Sequence, residues 1–173
     1  PINDHLNQWQ HQLQWAAGLS AAQQQFEPDG GWSVVQVLQH LYLSEKNTLS
    51  YIKRKLQQAD KMPRTSLKAR LSYWALNFFL RSEKRFKVPR SAGVTPEDEV
   101  EYAALHTAIE DMHVELTALL NEMDKSTANK LLFNHPRAGM LNVKQVIGFF
   151  NAHLDHHERQ LKRITAHPEF PKN

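Results

Sequence analysis

The sequence predicts an all-α fold, a bundle of four long helices, on three observations. Apolar residues recur at three- and four-residue steps through most of the 173 residues. No convincing period-two alternation marks a strand, and the six Gly form no Gly-rich phosphate loop. Two helices open on the same device, Ser33 with Gln36 and Asn142 with Gln145, each a side chain able to cap and a Gln three residues on. The length is one domain's worth, so residues 1–173 are expected to form a single unit.

The first helix is expected over about 3–25, with Ile2, Leu6, Trp9, Leu13 and Ala17 on one face, and the run Phe26-Glu27-Pro28-Asp29-Gly30-Gly31 breaks it. The second covers about 34–58. Trp32 and Val37 can staple its start, and Val34, Leu38, Leu41, Leu49, Ile52 and Leu56 make its buried stripe. An extra shorter helix is expected over about 66–85, within the long 59–96 connection, with Leu71, Trp74, Ala75, Phe78 and Phe79 as its apolar face. Tyr73–Leu80 is read as core or as contact with a second copy in a homodimer; it is too short to span a membrane. Phe86-Lys87-Val88-Pro89 ends that helix, and the chain to Pro96 reads as loop.

The third long helix is expected over about 97–124, with Thr95 as cap and Pro96 at the first helical position, where a missing N–H is harmless. Tyr102, Leu105, Ile109, Met112, Leu116, Leu119 and Met123 line its core face. The fourth covers about 143–166, with Leu141 and Val146 able to staple its start and His167-Pro168 at its end. Val143, Val146, Ile147, Phe150, Leu154, Leu161 and Ile164 form its stripe. Helices of about 22–28 residues are roughly 33–42 Å long, enough to enclose one elongated core, with the 59–96 connection as crossover or lid.

Charge and composition narrow the function. Twenty-one Lys and Arg against 18 Asp and Glu give +3, too small a surplus to imply nucleic acid or an anionic membrane as partner. The run Lys53-Arg54-Lys55 reads as a solvated face. No apolar run approaches a membrane span, and the polar opening carries no secretory signal, so a cytoplasmic location is expected. Zero Cys excludes disulfides, thiolate nucleophiles and Cys-based metal sites, while ten His point to imidazole and carboxylate chemistry.

His153 and His157 are four residues apart, one turn along the same helix face. Both fall inside the stripe of Phe150, Leu154 and Leu161, so both should point into the bundle. Buried imidazoles need hydrogen-bond partners or a metal. A catalytic metal normally takes three protein ligands and keeps an open position. The third ligand is open among His40, on the flank of the second helix, and His106 or His113 on the third. Glu45 stands in the second helix's stripe where an apolar residue is expected. It reads as the partner of a buried His or Arg, as support for a metal ligand, or as a general base near bound water. His156, at the stripe's edge, reads as solvent or interface contact, or as a group beside the site. His5, His11, His135 and His167 lie near termini or in loops and receive no function; His5→Ala is expected to change nothing.

Taken in order, these residues resemble a known family. Trp32-Ser33, His40-Leu41 and Glu45, then His135-Pro136 and Gly139, then His153, His156, His157, Gln160 and Leu161 are similar to the signatures of the DinB/YfiT-like metalloenzymes. Phe86-Lys87-Val88-Pro89 is also similar to the family's pattern. The resemblance covers nearly the whole chain. It implies an up-down-down-up four-helix bundle and a three-His divalent-metal site, carried here by His40, His153 and His157. Members of known activity include S-transferases that use bacillithiol or mycothiol and a thiol-dependent isomerase; no thiol-binding motif can be matched in this chain. Neutral imidazoles suit Zn²⁺, Ni²⁺ or Fe²⁺, and such a centre acidifies a bound water or thiol. With no Cys, any thiolate must come from a low-molecular-weight thiol. The expected chemistry is thiol transfer to a small-molecule substrate, with Glu45 or His156 handling protons. The alternatives are metal-dependent hydrolysis and a non-catalytic module that binds metal or a small molecule.

Overall fold

The computed structural model describes residues 2–81 and 93–172, and of Arg81 only the backbone. Among the described residues, seven α-helices and one short hairpin follow in the order α1 Ile2–Ala17, α2 Ala21–Gln25, α3 Val34–Leu56, α4 Leu67–Arg81, α5 Tyr102–Glu122, α6 Lys125–Ala128, β1 Phe133–His135, β2 Gly139–Leu141 and α7 Val143–Thr165. Single turns of 3₁₀ helix lie at Pro28–Gly30 and Ala59–Lys61.

The long helices α1, α3, α5 and α7 pack around one core. Helix α7 touches α1 and α3, and α5 touches the same two. Every apolar residue expected in the α7 stripe is buried, from Val143 to Ile164. Both predicted capping boxes form. Ser33 Oγ accepts from the Gln36 N–H and Gln36 Oε1 accepts from the Ser33 N–H, and Asn142 and Gln145 exchange the same pair.

Four elements differ from expectation, each for a local reason. The first helix stops at Ala17, because Gly18 and Leu19 leave the helix and Ser20 with Gln23 starts a new one through its own capping box. Its buried stripe is also turned by one residue, to His5, Trp9, Gln12, Leu13 and Ala16. The third long helix begins at Tyr102, not near 97, and its cap is Glu101. The stretch before it is held open by side chains of other elements. Gln36 Nε2 donates to the Glu97 and Asp98 carbonyls, Gln39 Oε1 accepts from the Glu97 N–H, and Gln25 Nε2 donates to the Val100 carbonyl. The β1–β2 hairpin was not predicted: its strands are three residues each, too short to show alternation, with Phe133 opposite Leu141 and His135 opposite Gly139. Gly139 adopts φ +69°, which favours glycine.

The fourth difference is α4. It forms, but turns the expected apolar face outward: Leu71, Trp74, Phe78 and Phe79 are exposed, and Ala69, Leu76 and Leu80 are buried instead. A core role for Trp74, Phe78 and Phe79 is therefore overturned. Ser66 Oγ caps the helix on the Ala69 N–H. Contact with α7 sets its pose. A Cβ on Gly148 of α7 would overlap the Tyr73 hydroxyl, so the bare glycine is what leaves room for the Tyr73 side chain in its present rotamer. The expected helix end near residue 85 and the Phe86–Pro89 stretch lie outside the described residues.

Candidate metal centre

Helix α7 carries His153 and His157 one turn apart on its buried side, and α3 brings His40 against them. All three are nearly inaccessible, at 3%, 9% and 7% exposure for His40, His153 and His157. The Nε2 atoms of His157 and His153 are 3.1 Å apart, and those of His40 and His153 are 3.4 Å apart. Ligand atoms of the three rings lie within 4.8 Å of one another. The flank position of His40 on its helix wheel becomes an interior one because the Trp32 ring covers it, at 4.9 Å between centroids.

Hydrogen bonds set the tautomers of two rings. His40 Nδ1 donates to the Val94 carbonyl at 2.7 Å, and His157 Nδ1 donates to Gln160 Oε1 at 2.8 Å. Each ring, when neutral, therefore turns an Nε2 lone pair inward. His153 lies flat on Phe149, at 5.2 Å and 17°. Burial holds all three imidazoles below their ordinary pKa, His157 down to about 3, with the neighbouring His rings adding to the effect. Converging lone pairs in a dry site call for a cation. Three nitrogens at about 2.0–2.1 Å from a tetrahedral ion stand roughly 3.3–3.4 Å apart. The observed 3.1 and 3.4 Å to His153 are close to that spacing, and held Nδ1–H groups are what metal-ligating histidines usually have.

His156 and Glu45 do not join the three. His156 Nδ1 donates to the Leu80 carbonyl at the end of α4, at 2.9 Å, and its ring meets His157 edge-on at 5.2 Å. Arg159 donates to the same carbonyl at 2.7 Å. Burial, then Arg159 and Arg163, lower the His156 pKa, against the Leu80 bond that raises it. Glu45 belongs to a separate core cluster. Its Oε1 accepts from Trp9 Nε1 at 2.9 Å, and its Oε2 lies 3.0 Å from His5 Nε2. The reading of Glu45 as partner of a buried His is the one the contacts match.

His5 corrects the expectation drawn for it. Although near the terminus, it is fully buried, with Nδ1 donating to Asn151 Oδ1 at 3.0 Å. Its place i−4 to Trp9 was the available signal. His135, too, has a structural role that its loop position does not announce. Its Nδ1 accepts from the Arg137 and Ala138 N–H groups at 3.1 and 3.2 Å, which ties the hairpin turn, while its ring packs on Phe149. His106 pairs with Glu110 on a half-exposed face and His113 joins the Glu45 cluster, so neither is the third partner of His153 and His157. Val94 carries no signal of its own in the sequence, and Gln160 carries only its place in the family signature. A groove of about 320 Å³ between α1 and α7, with Trp15 and Asp155 in its wall, includes none of the three histidines. Lys53 pairs with Glu115, and Lys55 sits over the Tyr51 ring at 5.7 Å. No described helix is long and apolar enough to cross a membrane.

Residues 6–161 match the sequence model of the DinB superfamily. No curated protein matches the chain. Among solved structures it is similar to YfiT from Bacillus subtilis, described as a probable metal-dependent hydrolase with an unusual four-helix bundle topology. The two share 18% identity at a TM-score of 0.57, over 95% of this chain and 86% of that one.

Proposed function

The chain belongs to the DinB superfamily, and we propose that it is a metal-dependent hydrolase of a small-molecule substrate, with His40, His153 and His157 as its metal ligands. The observation that carries this reading is the convergence of three buried imidazoles, with His153 Nε2 3.1 Å from that of His157 and 3.4 Å from that of His40, and ligand atoms of all three within 4.8 Å of one another. The description of YfiT as a probable metal-dependent hydrolase points the same way.

A divalent cation held by these three imidazoles would supply a Lewis acid able to bring the pKa of a water down toward neutrality. The chain's own residues do the rest. Val94 and Gln160 hold His40 and His157 with their Nε2 atoms inward. Trp32 and Phe149 wall the site with apolar rings and keep solvent from the imidazoles. His156 is the nearer of the two proton-handling candidates; as a positioning residue it joins the last turn of α4 to His157. The zinc, nickel and iron ions all suit three imidazoles.

The same reading takes residues 1–173 as one domain and the long helices as an up-down-down-up bundle. Contact order supports this. His5 with Asn151 and Gln8 with Asp155 run α1 and α7 in one direction. Leu13 with Tyr102 and His5 with His113 run α1 against α5. Glu45 with His113 and Lys53 with Glu115 run α3 along α5.

The test is a hydrolysis screen of small esters, lactones and amides with zinc- or nickel-loaded protein, with and without an added low-molecular-weight thiol. Turnover by the parent without thiol, abolished in His157→Ala along with one metal ion per chain, is the expected result. Turnover that requires the thiol would replace hydrolysis by S-transfer. Equal metal content and equal turnover in His157→Ala would refute the site.

A further inference from the structure

We infer that the bundle core holds a second cation site, built by His5, Glu45 and His113 and separate from the His40–His153–His157 triad. Ligand atoms of these three side chains lie within 4.8 Å of one another. They come from three helices, α1, α3 and α5. His5 and Glu45 are 0% and 1% exposed, so the groups that face each other do so without solvent.

The hydrogen bonds around the cluster aim its atoms inward. His5 spends its Nδ1–H on Asn151 Oδ1 at 3.0 Å, which leaves the neutral ring with a lone pair on Nε2. That lone pair faces Glu45 Oε2 at 3.0 Å. Two acceptors at this distance need a positive charge between them, either a proton or a metal ion. The other Glu45 oxygen is held by the Trp9 indole N–H at 2.9 Å, which fixes the direction of Oε2. Each of the two buried ligands thus has an outer partner on the atom it does not offer, as metal ligands commonly do.

A proton alone accounts for the His5–Glu45 contact but not for His113. His113 Nε2 is buried without a hydrogen-bond partner, a condition that native interiors rarely leave unexplained by water or an ion. One divalent cation takes all three groups at once. Two imidazoles and one carboxylate form a donor set used for Zn²⁺ and Fe²⁺, and the carboxylate offsets half of the ion's charge inside the core. The cluster reaches the surface through His113, which stands in the wall of a groove of about 280 Å³ between α1 and α5, beside His106 and Glu110.

The experiment counts ions. Untagged protein is stripped with a chelator, dialysed against Zn²⁺, and its zinc content is measured by mass spectrometry for the parent, His113→Ala, His157→Ala and His11→Ala. His113 lines the groove and is only half-buried, so its variant is chosen over those of His5 and Glu45; circular dichroism checks that it folds. Two ions in the parent and in His11→Ala, with one in each of the other variants, is the expected result. A single ion that His113→Ala loses and His157→Ala keeps also upholds this site and would defeat the triad instead. Unchanged zinc in a folded His113→Ala overturns the inference, whatever the parent holds.

Discussion

Removing His5 should damage the protein far more than its place near the terminus suggests. In His5→Ala, Glu45 Oε2 loses the group 3.0 Å from it at a site 1% exposed, and Asn151 Oδ1 loses its donor. Stranding the buried Glu45 carboxylate by removing its partner costs about 3–5 kcal/mol, and the half-buried Asn151 oxygen adds less. A loss of about 4 kcal/mol lowers Tm by roughly 8–16 °C for a chain of this size. Calorimetry on chelator-stripped protein at pH 7 measures it, with the exposed His11→Ala as the matched control. Adding Glu45→Met to His5→Ala should restore part of the loss, because the stranded carboxylate goes with it. A drop below about 3 °C, or a double variant no better than the single, would refute the account of the pair.

Two further perturbations probe the elements around the site. Gly148→Ala gains about 1 kcal/mol of helix propensity but forces the Tyr73 hydroxyl away, an overpacking cost of about 1–3 kcal/mol, so a net loss near 1 kcal/mol is expected in urea denaturation. Tyr73→Phe removes the overlapping oxygen and should rescue it; additivity of the two substitutions would contradict the packing account. His135 tests pH dependence. Burial, then the Arg137 charge, hold its folded pKa at about 4, against about 6.5 unfolded. The unfolded chain takes the proton first, so this stabilisation is whole above about pH 6.5, is lost as pH falls toward about 4, and levels off below. The full span is on the order of 3 kcal/mol. In His135→Asn, Oδ1 can accept the Arg137 and Ala138 N–H groups in place of Nδ1, and stability should fall less between pH 7 and 4. A decline equal to the parent's would reject the assignment.

Local chemistry was legible where it is self-contained. The α7 stripe, the two capping boxes and the inward direction of His153 and His157 depend on residues within one or two turns of each other, so spacing alone reveals them. Helix α4 shows the limit. Its apolar residues suggested a buried face, but whether a face is covered depends on what lies beside it, and here the Ala69, Leu76 and Leu80 side is buried while α4 packs on α7.

The sequence by itself determined that this is a helical chain of the DinB superfamily, that its chemistry is that of imidazoles, and that two of them share one turn of a core helix. The tertiary structure decided which residues meet across helices. It brought His40 to His153 under Trp32, took Glu45 away to His5, and held residues 97–100 open on Gln25, Gln36 and Gln39. The reason is physical. Periodicity records which side of a helix avoids water, but not which neighbour lies opposite, and a polar side chain inside a core is placed by partners dozens of residues away.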